Sequence, residues 1–407
     1  MAFARQYFSG ELLRLVAPLA LAQIVSWGST VYSFPLFLEP MEREFAWSRP
    51  ELTGAYSLSL LVAGLCAFPV GWWIDRQGGH IPMTLGSILA ALLFLAWSEV
   101  TALWAFYAIW IGLGAVMAAT LYEPVFAVLV TAFRDDARRA ITLMTLIAGF
   151  AGTVFYPTTQ LLITTLGWRP ALLVLALLNL MVSGGIHHFV LRRTAPARAK
   201  AEPSPTEASE TGAAAVTSPL GAALRHPSFW LLGLAFVATT LVHSALIVHA
   251  IPLLVERGFE LALVIAVMTL VGPMQVAGRL LFATVERWVD FTASGVITLA
   301  LPLAAIGLLM VVVPGSNWVF AYAFLFGTAA GISTIIRASA VPEFIGTVGY
   351  GAINGALAVP TTMARALGPI LAALVWGWTG GYDAVLWMML PVAGLSVVGF
   401  YLAAWKS

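Results

Sequence analysis

Cysteine and charge are both scarce in this sequence of 407 residues. The single cysteine, Cys66, lies in an apolar run and excludes a disulfide framework and any metal site built from several cysteines. Charged residues make up 10% of the chain, whereas soluble domains carry about 25%. The net charge of +1 gives no indication of nucleic-acid binding. The sequence shows no Walker loop and no Ser/His/Asp or metal-ligand cluster, so we predict no ATP-driven transport within this chain, no enzymatic activity and no cofactor.

Apolar residues are abundant, at 60% of the chain, and the mean hydropathy is +0.93. A helix needs about 20 apolar residues to cross the hydrocarbon core of a membrane. Twelve runs meet this length and predict an all-α membrane protein with twelve transmembrane helices. The predicted spans are residues 14–38, 52–74, 81–99, 102–132, 140–165, 170–191, 228–254, 261–284, 292–313, 317–339, 347–377 and 384–404.

One break between the predicted spans is much longer than the others. Residues 193–225 are rich in Ala, Pro, Ser, Thr and Glu and poor in aromatics, which is typical of a flexible linker. This break separates six spans from six. We therefore expect an N-terminal bundle (1–192), a linker (193–225) and a C-terminal bundle (226–407).

The two predicted bundles share short sequence echoes. Tyr32-Ser-Phe-Pro35-Leu-Phe-Leu-Glu39 ends the first span, and His249-Ala-Ile-Pro252-Leu-Leu-Val-Glu256 ends the seventh. Asp75-Arg76 follows the second span, and Glu286-Arg287 follows the eighth. The alternative is chance similarity between apolar helices, but two echoes at matching places favour a duplicated transporter with parallel halves.

The distribution of positive charge predicts the orientation. One side, with the N-terminus, the even-numbered breaks and the C-terminus, holds fourteen Lys and Arg residues, and the other side holds four. The fourteen include Arg337, which is counted with the break after the tenth span. Loops with excess positive charge stay in the cytoplasm. Both termini and the linker are therefore predicted to be cytoplasmic, in a multi-pass protein of the plasma membrane (the inner membrane of a bacterium).

A charged, glycine-rich hairpin joins the second and third spans: Gly71-Trp-Trp-Ile-Asp75-Arg76-Gln-Gly78-Gly79-His80. Its pattern, Gly-x-x-x-Asp-Arg-x-Gly-Gly-basic, resembles the loop between the second and third helices of the major facilitator superfamily. With the layout of six spans, linker and six spans, the resemblance covers essentially the whole chain. It implies two pseudo-symmetric six-helix bundles that rock around a site at the middle of the membrane. In that family the loop stabilises the outward-facing state, which implies gating roles for these residues and their echoes: Gly71, Asp75, Arg76, Gly78, Glu286 and Arg287.

Shorter motifs resemble the monocarboxylate and oxalate–formate branch of that superfamily. They are Glu44-Phe-Ala-Trp-Ser-Arg49, Tyr122-Glu123-Pro124, Gly167-Trp-Arg169 and a lone Arg279 in the eighth span. The sequence departs from the branch one turn before Arg279, where Gln275 stands in place of a frequent acidic residue. That departure argues against a carboxylate–arginine coupling pair at this position.

Three ionisable residues lie well inside predicted spans, where a charge costs at least ~2.5 kcal/mol on insertion scales and usually marks a pathway. Arg279 offers a planar fork for a carboxylate, and the resemblance implies the same role; the alternative is a structural arginine paired with backbone carbonyls or with Glu286. Glu123 either carries a proton or forms a permanent ion pair or supports the helix at Pro124. Arg365 either contacts an anion or pairs with Glu123.

Four further residues are candidate substrate contacts. Gln275 lies one turn before Arg279 on the same helix face. Tyr32 and His249 occupy mirrored positions in the first and seventh spans, which line the cavity in the family. Tyr122 offers a hydroxyl, although packing or interhelical hydrogen bonding explains such side chains equally well.

These observations predict a monomeric secondary transporter that moves a small organic anion of the monocarboxylate kind together with a proton. The alternative on the same fold is an exporter of a neutral, metalloid or drug-like compound, because aromatic residues are plentiful enough to line a cavity.

Overall fold

The computed structural model describes residues 10–133, 136–198, 219–286, 288–346, 348 and 350–406. These residues contain helices and connecting turns and no strand. Twelve helical segments are long and apolar enough to cross a membrane, as the sequence predicts. Arg287, for which a gating role is predicted, and residues 199–218 of the predicted linker lie outside the described residues.

The first bundle contains α1 to α6, several of which are interrupted. They are α1 (Gly10–Trp27, a π-helical turn Gly28–Tyr32, and Phe34–Phe45), α2 (Arg49–Gln77), α3 (His80–Ser98), α4 (Leu103–Thr120 and Tyr122–Ala132), α5 (Ala137–Ala148 and Ala151–Leu166) and α6 (Trp168–Leu178, a π-helical turn Asn179–Gly184, and Gly185–Arg198).

The second bundle contains six continuous helices, and the short helix Pro219–Arg225 precedes it. They are α7 (Pro227–Glu256), α8 (Leu261–Val285), α9 (Phe291–Val311), α10 (Val319–Phe344), α11 (Tyr350–Thr379) and α12 (Tyr382–Trp405).

Most helix ends differ from the predicted ones by a few residues, and two of these differences involve charged residues discussed below. The expected break at 39–50 is mostly helical, because α1 continues to Phe45 and a capping box starts α2. In that box the backbone N–H of Ser48 donates to Glu51 at 2.8 Å. The other difference is α10, which runs to Phe344 and places Arg337 inside a span instead of at its end. Arginine is a good helix former, so its charge did not mark the helix terminus.

The break in α4 follows from one proline. Pro124 has no N–H to donate to the carbonyl of Thr120, and its ring clashes with that carbonyl in a regular helix. The chain leaves helical geometry at Leu121 (φ −84°, ψ −153°) and restarts at Tyr122. The Thr120 carbonyl instead accepts a hydrogen bond from Nε2 of the buried Gln23 at 2.6 Å. The break therefore puts the start of a new half-helix beside the middle of the protein.

The two bundles meet mainly along α2 with α11 and α5 with α8, and the last part of α1 also contacts α7. With twelve spans, Gly10 and Lys406 lie at the same face, which we call the terminal face; the other is the opposite face. Near the opposite face, α2 and α11 are in contact: a Cβ at Gly377 would lie 3.2 Å from Pro50. Contact continues to Gly64, where a Cβ would lie 2.3 Å from Thr362.

Beyond Gly64 the two helices diverge. At Gly71, no described atom beyond the helix itself lies within 4 Å of the position of a Cβ. Phe68, between these glycines, is 83% exposed. The bundles are thus closed together at the opposite face and separated at the terminal face.

Candidate substrate cavity

A cavity of about 770 Å³ lies between the two bundles and is lined by residues of both. Its charged lining residues are Glu123 from the first bundle and Arg279, Arg337 and Arg365 from the second. Three arginines against one glutamate leave a formal charge of +2. A cationic cavity with low-dielectric walls attracts anions.

Arg365, on α11, is the most accessible of these cations. Its side chain is exposed to the cavity, and among the described residues it makes no hydrogen bond and no ion pair within 4.0 Å. The predicted pairing with Glu123 is therefore not present as a direct ion pair in this conformation. The exposed guanidinium keeps its five N–H donors free for a ligand.

Arg337, on α10, is a cavity residue that the sequence reasoning assigned to a cytoplasmic break. Its Nη2 donates to Oγ1 of Thr361 on α11 at 3.1 Å. The charge of Arg337 interacts with those of Arg365 and Glu123. A sequence signal for this position does exist. Arg337 lies several residues before the end of the helix, which continues through Pro342 to Phe344.

Arg279, on α8, is anchored by the backbone. Its Nε donates to the Gly331 carbonyl on α10 at 3.2 Å, and its Nη1 donates to the Thr145 carbonyl on α5 at 3.0 Å. The second bond joins the two bundles. The anchoring matches one of the two alternatives for Arg279, but three N–H groups of the guanidinium remain for a ligand in the cavity that it lines.

Close packing of α8 on α10 sets the position of Arg279. A Cβ at Gly331 would lie 2.2 Å from the carbonyl oxygen of Gln275, so only glycine permits this approach. The Gln275 side chain also lines the cavity and interacts with the hydroxyl of Tyr32 from the first bundle. The structure thus brings Gln275, Tyr32 and Arg279 together at one cavity, and their role as substrate contacts stays a prediction.

Tyr122 and Glu123 stand at the start of the second half of α4. The Tyr122 ring is stacked on Phe126, with centroids 5.2 Å apart, and it lies 5.0 Å from the ring of Trp27. Glu123 is in the first turn of the half-helix, where the helix dipole favours a negative side chain. Its carboxylate is exposed to the cavity and makes no ion pair with a described residue.

Of the two histidines of α7, the predicted substrate contact His249 lies outside the cavity and His243 lies in it. His249 is 1% exposed, and its ring nitrogens contact the Tyr382 hydroxyl at 2.8 Å and the Pro369 carbonyl at 2.9 Å. It is not part of the cavity lining. His243 lines the cavity instead, with its ring stacked on Phe326 at 4.8 Å.

The predicted gating loop lies at the terminal face, on the separated side. Gly78 ends α2 with φ +82°, a backbone conformation that favours glycine, and its N–H donates to the backbone carbonyl of Ile74 at 2.8 Å. Arg76 is exposed with its guanidinium 4.0 Å from the Trp72 ring centroid, and Asp75 is exposed too. Glu286 is exposed at the end of α8.

A second cluster of charges joins the bundles at the opposite face. Arg49 forms a two-pronged ion pair with Glu42 of its own bundle, at 2.8 and 3.0 Å. Its Nη1 also donates to the hydroxyl of Tyr382 at 3.2 Å and lies 3.8 Å from Glu256, both in the other bundle. Its guanidinium lies 4.2 Å from the ring centroid of Trp376 on α11.

This opposite-face cluster extends inward through hydrogen bonds. Glu256 accepts from Nε1 of Trp376 at 2.7 Å and from the backbone N–H of Tyr382 at 3.1 Å. The Tyr382 hydroxyl in turn contacts His249. Sequence reasoning placed Arg49 in a loop motif, and nothing in the local sequence indicated its partners on the other bundle.

Twelve membrane-spanning helices that enclose a central, mainly apolar cavity with four charged residues, closed at one face and open at the other, define a membrane transport protein. The Major Facilitator Superfamily model matches residues 19–359 of this sequence. The chain belongs to the major facilitator superfamily.

Individual relatives are distant. Human monocarboxylate transporter 11 is 27% identical over 354 residues, which are 82% of this chain and 70% of that protein. The fold also matches two crystal structures of a bacterial homolog to the human lysosomal transporter Spinster. The inward-facing occupied form gives a TM-score of 0.66 and the inward-facing unoccupied form 0.69, both at 13% identity over 97% of this chain and 96% of the other.

Proposed function

We propose that this protein is a secondary transporter that moves a small organic anion of the monocarboxylate kind, together with a proton, by alternating access. The observation that carries the proposal is Arg365, an exposed guanidinium without a described partner inside a cavity of formal charge +2. Arg279 keeps free N–H groups in the same cavity. The 27% identity with a protein named as a monocarboxylate transporter supports the same substrate class.

The remaining assignments belong to the same proposal. Residues 1–192 and 226–407 act as the two rocking bundles, joined by a linker at 193–225, in a monomer. The excess of positive charge at the terminal face supports a plasma-membrane protein with both termini in the cytoplasm. In that orientation the described conformation is inward-open. The glycine-rich loop with Gly71, Asp75, Arg76 and Gly78, and Glu286 with Arg287, then act as the cytoplasmic gate.

Uptake of labelled pyruvate and lactate into proteoliposomes under a pH gradient tests the substrate class. We expect Arg365→Ala and Arg279→Ala to lose most of the uptake, because each removes charge-assisted hydrogen bonds worth about 1.5–3 kcal/mol apiece. Arg43→Ala is the control, since this exposed arginine pairs with Glu39 on the same helix and lies outside the cavity. If both cavity variants transport at the wild-type rate, the proposal that these arginines bind the substrate anion is wrong.

Glu123→Gln tests the coupling to protons. Glu123 is the one carboxylate among the described cavity-lining residues, so its loss should abolish uptake driven by a pH gradient while counterflow exchange continues. Glu99→Gln, an exposed carboxylate at the opposite face, serves as the control. Loss of both activities with poor expression would assign Glu123 a structural role instead.

Export of a neutral, metalloid or drug-like compound is the second candidate, because aromatic side chains also line the cavity. They include Trp27, Tyr56, Tyr122 and Phe236. For such a substrate, replacement of the cavity arginines would leave transport unchanged, and small carboxylates would not compete.

A further inference from the structure

One buried threonine brings two cavity arginines together from neighbouring helices. Thr361, on α11, is 1% exposed and accepts a hydrogen bond from Nη2 of Arg337 on α10. Thr361 lies four residues before Arg365, so both side chains are on the same face of α11. The contact therefore places the Arg337 guanidinium about one helical turn from the base of the Arg365 side chain.

The threonine is oriented by its own helix. Its Oγ1 lies 3.1 Å from the Leu357 carbonyl and 2.9 Å from the Ala358 carbonyl, both on α11. The hydroxyl proton is donated to these carbonyls, which leaves the oxygen lone pairs for Arg337. Arg337 is thus held in position before any ligand enters, as a well-organised binding site requires.

Two cations held close together repel each other unless a negative group balances them. The charges of Arg337 and Arg365 do interact, and among the described residues no carboxylate lies within ion-pairing distance of either. Glu123 interacts with Arg337 only at longer range. An anion that enters between the two guanidinium forks relieves this repulsion, and each fork matches the geometry of a carboxylate.

We propose that Arg337 and Arg365 together form the clamp that binds the substrate carboxylate, with Thr361 as the positioning residue for Arg337. This inference rests on the proposed function, because it names the residues that recognise the anion. It adds α10 to the binding site and gives Arg279, which is anchored to two backbone carbonyls, a secondary place in it.

Isothermal titration of the purified full chain with acetate, pyruvate, lactate, oxalate and malonate, each against chloride at equal ionic strength, tests the clamp. Methyl pyruvate, which lacks the charge, is the ligand control. For the acid that binds, we expect Arg337→Gln and Arg365→Gln each to weaken affinity at least ~10-fold, because each loses charge-assisted hydrogen bonds. Arg43→Gln should bind as the wild type does. Thermal unfolding without ligand checks that every variant is folded.

Thr361 gives the variant that leaves both arginines in place. Thr361→Val keeps the side-chain shape but removes the acceptor, so we expect weaker binding that Thr361→Ser restores. Wild-type affinity in Arg337→Gln and Thr361→Val, with loss in Arg365→Gln or Arg279→Gln, overturns the clamp and leaves the proposed function standing. If the wild-type protein binds none of the five acids, the proposed function fails and the clamp fails with it.

Discussion

Replacement of Arg49 by glutamine tests whether the opposite-face cluster holds the two bundles together. The ion pair with Glu42 lies within one bundle and persists whichever face is open, so it does not bias the conformational equilibrium. The contacts that matter are those of Arg49 with Tyr382, Trp376 and Glu256 across the interface.

The size of the effect follows from these three contacts. A hydrogen bond from a charged donor to the Tyr382 hydroxyl is worth about 1.5–3 kcal/mol. The stacking of the guanidinium on Trp376 adds roughly 0.5–2 kcal/mol, and the longer approach to the partly exposed Glu256 adds about 0–1 kcal/mol. These contributions add to about 2–6 kcal/mol, but neighbouring contacts of one side chain are not additive, so we expect a net loss of roughly 2–4 kcal/mol from the state that is closed at the opposite face. At 1.4 kcal/mol for each factor of ten, this favours opening there by about 30- to 700-fold.

A reporter cysteine behind the closed face measures this shift. Ser244 lines the cavity, so Ser244→Cys in a Cys66→Ser background would react with a membrane-impermeant thiol reagent added outside cells only when the opposite face opens. The labelling rate then follows the population of the open state. We expect Arg49→Gln to raise that rate by one to three orders of magnitude, and Arg49→Lys, which keeps the charge but loses the planar fork, to raise it less.

Arg43→Gln is the matched control for this experiment. It removes the same charge from the same face, but Arg43 is exposed and pairs within its own helix. Equal acceleration by Arg43→Gln would mean that labelling reports only surface charge. No acceleration in Arg49→Gln would show that the cluster does not hold this face closed.

Two further predictions concern the backbone contacts that shape the cavity. Gly331→Ala should destabilise the protein by about 1–3 kcal/mol and weaken anion binding, because its Cβ would overlap the Gln275 carbonyl. Gly307→Ala is the control, since no described atom beyond its own helix lies within 4 Å of the added Cβ, and equal melting temperatures for the two variants would contradict the close packing. Gln23→Leu should cost about 1–3 kcal/mol, because the buried Thr120 carbonyl loses its donor. Gln160→Leu, whose side chain makes no hydrogen bond to a described residue, should be neutral in the same thermal-unfolding assay.

The sequence was sufficient to predict the twelve helices because hydropathy and length decide them directly. It also named Arg279, Gln275 and Tyr32, which line one cavity in the structure. Gln275 was named from helical periodicity, and Tyr32 from the repeat together with the family resemblance. The repeat was less informative for α7, where it pointed to His249. A weak echo aligns sequence positions but does not give the rotation of a helix, and in the structure the face at His243 turns to the cavity.

Arg337 shows a different limit of sequence reasoning. Its place near the end of an apolar run satisfied the positive-inside rule, so its charge was counted as cytoplasmic. What makes it a cavity residue is the contact with Thr361 on another helix, which depends on how α10 and α11 pack. The same holds for Arg49, whose partners Tyr382 and Glu256 are far away in the chain. Charges that act between helices are recognised only when the packing is known.

The hydrogen bond from the Arg279 guanidinium to the backbone carbonyl of Thr145 affects how the bundles can move. It joins α8 to α5 toward the terminal face, where α2 and α11 have already separated. Nearer the opposite face, Oγ1 of Thr153 on α5 donates to the Thr269 carbonyl of α8 at 2.8 Å. Helices α5 and α8 are therefore in contact both toward the terminal face and nearer the opposite face, whereas α2 and α11 are in contact only toward the opposite face. Motion that closes the terminal face can then turn about α5 and α8, so a ligand that draws Arg279 away from Thr145 would loosen that axis.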